Sequence, residues 1–176
     1  MINLILKRCR TMPRDKKVIV YAAGTWDMFH VGHLNILRAA KALGDILIVG
    51  VKTDEVVMEF KGHYPLVSYE DRAAIVAACR YVDVVVPQRT QEKDEMLKKM
   101  DVDILVVGDD RWQDRVEGHD FMVRQERRVV YLPYTISKSS TILRKTLRRF
   151  YNQQKLEETL KSDAPESIRM IAITQT

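Results

Sequence analysis

Two histidines stand three residues apart in the segment Gly24-Thr25-Trp26-Asp27-Met28-Phe29-His30-Val31-Gly32-His33. An apolar run at 18–23 precedes them and a helical pattern at 31–43 follows. Both imidazoles therefore fall on a first helical turn and point the same way. Gly32, between them, lets another group approach the backbone. A helix start also offers unpaired N–H groups and the positive end of the macrodipole. The combination is an anion site with two movable proton donors, suited to a triphosphate under attack at its α-phosphorus.

A His-x-x-His pair can also be half of a zinc site, which needs further ligands. His63 and His119 fall in expected loops, and Cys9 and Cys79 show no ligand spacing, so no protein-held metal is expected. Other polar residues follow other apolar runs. Thr53, Asp54 and Lys61 come after 46–51, and an ammonium in a loop there could reach a phosphate. Gly108-Asp109-Asp110-Arg111-Trp112 follows 104–107; its paired carboxylates suit hydroxyls, a base or magnesium, or simply a turn. Ser139, Ser140 and Thr141 open a helical stretch as N-caps that can also aim donors at a phosphate.

The elements that must position these residues alternate. Apolar runs at 18–23, 46–51, 82–86, 104–107 and 129–132 are rich in Val and Ile, as strands covered on both faces should be. Helical patterns lie at 31–43, 69–79, 90–100, 116–127 and 141–151. Ser68 and Asp71 form a capping box for the second of these, with Ile75, Val76 and Cys79 as its expected apolar face. Strand–helix alternation implies parallel pairing with right-handed crossovers. The expected fold class is α/β, a five-stranded doubly wound parallel sheet with helices on both faces and ligands at the carboxyl ends of the strands. Residues 17–150 form the expected domain, with 1–16 and 151–176 as extensions.

At 176 residues the chain holds one α/β domain with a sizeable core. A hydrophobic fraction of 46% and a charged fraction of 30% are those of a soluble globular protein. No apolar run approaches the ~20 residues of a membrane span. The start, apolar and then basic, reverses the order of a signal peptide. Two cysteines without a framework point to a reducing compartment, so a cytoplasmic location is expected. The net charge is +5, with basic residues gathered at Arg124, Arg127 and Arg128 and at Lys138, Arg144, Lys145, Arg148 and Arg149. Without interleaved aromatics they suit a solvated face or anionic small substrates, not nucleic acid.

Strand, Gly-x-x-Asp turn and His-x-Gly-His helix start together resemble the His-x-Gly-His nucleotidyltransferases, specifically the cytidylyltransferases. Arg80-Tyr81-Val82-Asp83 is similar to their Arg-x-Val-Asp signature. Gly108-Asp109-Asp110 is similar to the Gly-Asp-Asp-Trp of the glycerol-phosphate branch, with Arg111 inserted before Trp112. Lys61 falls at or near a lysine on which the family depends, in a slightly longer loop. An Ile-Ser-Thr-Thr-like motif aligns at Ser139, which places Leu143 and Leu147 on apolar positions; alignment at Ser137 would place Lys145 there. Where the family has Arg-Thr-x-Gly, this chain has Tyr134-Thr135-Ile136-Ser137, so either Lys138 or Arg144 supplies the charge or the second substrate differs.

The resemblance implies a Rossmann-like fold and transfer of a cytidylyl group from CTP to a small phosphomonoester, glycerol 3-phosphate in the nearest branch. The products would be a CDP-alcohol and pyrophosphate. It implies Mg2+ with CTP and a homodimer whose contact lies near Arg80 and Asp83. His30, His33 and Lys61 would be catalytic. Gly24, Thr25, Trp26, Asp27, Gly32, Gly108, Asp109, Ser139, Ser140 and Thr141 would bind nucleotide. Asp54, Arg80, Asp83, Asp110, Trp112, Tyr134 and Lys138 would bind the acceptor or support the site. Other members of the superfamily act on ethanolamine or choline phosphate, on a sugar phosphate, or adenylylate FMN. A non-catalytic nucleotide-binding protein is the remaining alternative.

Overall fold

The Val- and Ile-rich runs become five strands, β1 (Ile19–Gly24), β2 (Ile46–Lys52), β3 (Val84–Gln88), β4 (Ile104–Gly108) and β5 (Arg128–Leu132). The computed structural model describes residues 16–108, 116–133 and 140–163. Six helices accompany the strands: α1 (Val31–Lys41), α2 (Asp54–Lys61), α3 (Tyr69–Ala77), α4 (Asp94–Lys99), α5 (His119–Arg124) and α6 (Ser140–Asp163). The chain divides into two compact units, Met1–Ile136 and Ser137–Thr176. Among the described residues no helix is long and apolar enough to cross a membrane.

The sheet belongs to the first unit. Its order is β3-β2-β1-β4-β5 and every pairing is parallel, as the strand–helix alternation implied. Ile19 lies beside Ile46 of β2, and Val20 beside Ile104 of β4. Strand order reverses at β1, so the crevice between the carboxyl ends of β1 and β4 is the topological switch point. Strand alternation sends Val20 and Ala22 to one face, where they pack with Leu37 and Ala40 of α1 and Val76 of α3. Tyr21 points to the other face, with Leu97 of α4 and Met122 of α5.

Four expectations shift. The strand expected from 82 starts at Val84, because Val82 N–H bonds Cys79 O and closes a turn first. The helix expected over 90–100 shortens to α4, since the Gln88 amide and the Thr90 hydroxyl take the carbonyls of Thr90 and Glu92, both at 2.7 Å. Residues 54–61, expected as a loop, form α2, with Asp54 and Glu55 in its first turn favoured by the dipole. On α3 the inward face carries Arg72 and Val76, while Ile75 is 46% exposed. Ser68 caps α3 as expected, its hydroxyl accepting Asp71 N–H at 3.2 Å.

In the second unit, α6 is longer than expected, running from Ser140 to Asp163. Residue 16, placed with the N-terminal extension from sequence, is anchored: Lys16 Nζ lies 2.8 Å from Asp101 and 3.5 Å from Asp103.

Candidate active site

Between β1 and α1 the chain makes the turn that carries both histidines. His30 caps α1 in extended backbone, φ −141° and ψ 173°, and its Nδ1 accepts the Gly32 N–H at 3.1 Å. A ring nitrogen that accepts carries no proton, so neutral His30 holds its proton on Nε2. The His33 ring stacks on His30 with centroids 3.8 Å apart and planes 19° from parallel. Trp26 and Phe29 enclose His33 from 5.3 and 5.5 Å. His30 Nε2 and His33 Nδ1 are buried and have no hydrogen-bond partner among the described residues. Buried polar atoms left unpaired are costly. A ligand oxygen reaching this pair would satisfy them.

Burial pushes the His30 pKa down and takes that of His33 to about 3. The neighbouring His30 and the Lys61 charge add to the effect at His33, and Asp27 opposes it. Both imidazoles are therefore neutral at pH 7 and act as N–H donors rather than as cations. Gly24 makes room for the indole of Trp26: a Cβ there would lie 2.9 Å from Trp26 Cε2. Gly32 is buried on the first turn of α1.

Two buried ionic side chains fix this turn. Asp27 is 4% exposed, and its carboxylate accepts the backbone N–H groups of Leu66 and Val67 at 3.1 and 3.0 Å. Arg72 is 1% exposed and donates from all three nitrogens: Nε to Val67 O at 2.9 Å, Nη1 to Thr25 O, and Nη2 to Asp54. One guanidinium thus ties the β1–α1 turn, the start of α2 and the strap before α3. Sequence reading missed Arg72. Its signal was an arginine four residues before Val76, on the face that must point inward.

Lys61 ends α2 with an exposed side chain whose charge acts on His33. Gly62 terminates that helix at φ 71°, a left-handed conformation that a β-carbon disfavours. Thr53 caps α2 by backbone, without a side-chain bond, and Asp54 is committed to Arg72 and to Tyr69 N–H at 3.3 Å. Lys52 is also absent from the sequence reading. Its buried ammonium reaches Gln91 Oε1 at 2.7 Å and sits 4.9 Å over the Phe60 ring.

The structure does not bring Arg80 and Asp83 to this cluster. They precede β3, at the amino end of the sheet, where Asp83 accepts Leu47 N–H at 2.7 Å and Lys41 Nζ at 2.6 Å. Arg80 is exposed and donates to Tyr81 Oη at 3.1 Å. Gly108 ends β4 at the carboxyl side. Asp109, Asp110, Trp112, Tyr134, Lys138 and Ser139 lie outside the described residues, and Ser140 and Thr141 open α6 in the second unit. Among the described residues no group of three or more His, Cys, Asp or Glu could hold a metal ion. The described side chains do not fit a protein-held magnesium.

Comparison with known proteins gives the arrangement a family. Residues 21–146 match the cytidylyltransferase-like family. Glycerol-3-phosphate cytidylyltransferase of Bacillus spizizenii is 40% identical over 135 residues, 75% of this chain and 97% of that protein. Ethanolamine-phosphate cytidylyltransferase of Dictyostelium discoideum is 44% identical over 101 residues, 56% of this chain but 28% of that protein. Among solved structures, a lipopolysaccharide core biosynthesis protein of Thermoplasma volcanium shares the fold, with a TM-score of 0.58 at 24% identity over 68% of this chain and 98% of its own. With its paired histidines at the switch point of a five-stranded parallel sheet, this chain belongs to the cytidylyltransferase-like family.

Proposed function

We propose that this chain transfers the cytidylyl group of CTP to glycerol 3-phosphate, giving CDP-glycerol and pyrophosphate. One observation carries the chemistry: two stacked, neutral imidazoles at a helix start, each with a buried ring nitrogen that lacks a partner among the described residues. The match along 97% of the Bacillus glycerol-3-phosphate enzyme supports the acceptor.

A phosphate oxygen of the acceptor attacks the α-phosphorus in line. The new O–P bond forms as the bond from that phosphorus to the α,β-bridging oxygen breaks, and pyrophosphate leaves with the electron pair. No protein nucleophile takes part, so catalysis is positioning and charge stabilisation. His30 Nε2–H and the His33 ring bond phosphate oxygens where charge grows, and Lys61 offsets that charge. The α1 N-terminus adds its dipole. Magnesium carried on the triphosphate of CTP would supply further charge neutralisation. The proposal includes a homodimer joined near the exposed Arg80 and Asp83, and a cytoplasmic location.

The test is a panel of CTP or ATP with glycerol 3-phosphate, ethanolamine phosphate, choline phosphate, a sugar phosphate and FMN, scored by pyrophosphate release. Turnover with CTP and glycerol 3-phosphate is expected to exceed every other pair. Preference for ethanolamine phosphate would transfer the reading to the enzyme type matched in Dictyostelium, with the same chemistry. No pyrophosphate from any pair would refute an enzymatic role. Sedimentation at micromolar concentration tests the dimer, and a monomer refutes it.

A further inference from the structure

Trp26 is one of two aromatic residues against His33, and its own conformation is unfavourable. Its backbone sits at φ 57°, a left-handed conformation that a bulky residue rarely adopts. Such strain persists only where surrounding contacts hold it. Here the side chain supplies them. The indole is 5% exposed, and its Nε1–H donates to Gly50 O of β2 at 3.0 Å. Its ring fills the space over Gly24, where a β-carbon would lie 2.9 Å from Cε2. From that seat it meets His33 nearly edge-on, at 5.3 Å and 68°.

His33 needs such a support. Its Nδ1 has no hydrogen-bond partner among the described residues, so no bond at that atom sets the ring angle. Among the described residues its ring contacts are with Trp26, Phe29 and His30. Of these three, Trp26 alone is pinned to the sheet by a buried hydrogen bond. From sequence, Trp26 and Gly24 were expected to bind nucleotide; their burial and mutual fit give them another task.

We propose that Trp26 is a positioning residue: its indole, anchored on Gly50 and seated over Gly24, sets the orientation of the His33 ring without contacting either substrate. The inference deepens the function proposed above and rests on His33 acting on the phosphates.

Two variants test it, Trp26→Phe, which deletes the Nε1–H, and Gly24→Ala, which keeps the indole but crowds its seat. In the unliganded protein, long-range 15N–1H spectra of the imidazoles should show the His33 ring signals displaced in both, with His30, Asp27 and Lys61 unaltered in sequence. In Trp26→Phe, kcat should fall by about 10-fold, as a misplaced catalytic group would cause, with KM for CTP and for glycerol 3-phosphate nearly unchanged. Unmoved His33 signals in both variants overturn the proposal, whatever happens to turnover. A raised KM for CTP at unchanged kcat in Trp26→Phe overturns it by placing the indole on the nucleotide. Full turnover in His33→Ala would remove the functional reading, while the ring signals still decide whether Trp26 holds His33. If Trp26→Phe does not fold, Gly24→Ala carries the spectroscopic test alone.

Discussion

The two ends of the sheet use polar side chains to opposite effect. At the amino end, an aspartate stands immediately before each of three strands and accepts a backbone N–H from the start of an adjacent strand or the residue before it. Asp45 takes Val18 N–H at 2.7 Å, Asp83 takes Leu47 N–H at 2.7 Å, and Asp103 takes Ile19 N–H at 2.9 Å. Lysines complete two of these clips, Lys41 on Asp83 and Lys16 on Asp103. Burial works against the ionised form of Asp83, but the Leu47 N–H and Lys41 outweigh it and lower its pKa. At the carboxyl end one ring nitrogen of each histidine, His30 Nε2 and His33 Nδ1, is buried without such a partner among the described residues. Paired polar groups stabilise the fold, whereas unpaired ones are held ready for a ligand.

The largest effect that can break this contrast is on Arg72, a fully paired group at the carboxyl end. Arg72→Met should cost about 3–5 kcal/mol of stability, because it leaves Asp54 and two carbonyls without their donor. Urea unfolding measures it. A loss below ~1 kcal/mol would mean that the clamp is dispensable and the turn holds by packing alone. Next comes the chemistry. His30→Ala or His33→Ala should lower kcat by about 10²-fold or more, the scale of losing one charge-stabilising donor. The midpoint of unfolding should change little or rise in His33→Ala, which removes a buried nitrogen that lacks a partner, and should fall slightly in His30→Ala, which also removes the α1 cap. Retained turnover in both would refute the division of labour between the two ends.

Much of this was legible before the fold was known, and the misses have physical causes. The apolar runs at 18–23, 46–51 and 104–107 marked strands of a parallel sheet, and the His30–His33 spacing placed both rings on one turn. The Arg80–Asp83 stretch resembled a site signature, yet sequence does not say which end of a strand a residue flanks in function. The Asp clips were present as Asp45-Ile46, Asp83-Val84 and Asp103-Ile104, a repeat visible only once the strands are seen in register. Arg72 was hidden because a charge at an inward helical position reads as surface until its partners are known. The support we propose Trp26 gives His33 has no sequence signal of its own, because contact between two rings of one motif leaves no separate pattern.

At the amino end a variant should touch stability and spare turnover. Asp83→Asn keeps the shape but weakens the bonds to Leu47 and Lys41, and should cost about 1 kcal/mol, as for a partly exposed charged hydrogen bond. Its kcat should equal that of the unaltered protein. A tenfold fall in kcat with an unchanged unfolding midpoint would bring the amino end into the catalytic machinery and erase the contrast.

The smallest expected effect is a fraction of a proton, and it sharpens the comparison most directly. Burial takes the His33 pKa to about 3, so His33 is deprotonated in the unliganded protein at mildly acidic pH, and burial also lowers the pKa of His30. A group whose pKa is depressed on folding contributes stability above its unfolded value of about 6.5, and that stability is lost as pH falls toward the folded value. A bound triphosphate reverses the local electrostatics: negative charge beside the rings favours the protonated form and raises both pKa values. CTP binding at pH 5.5–6 should therefore take up protons, and its affinity should increase as pH falls, by no more than about 1.4 kcal/mol per pH unit for each proton gained. Calorimetry in two buffers of different ionisation enthalpy reads the uptake, after subtraction of the proton change of CTP itself. The uptake should shrink in His30→Ala and in His33→Ala, and should not change in Asp83→Asn. Uptake that persists in both histidine variants would place the proton on another group and leave the imidazoles as neutral donors throughout the binding step.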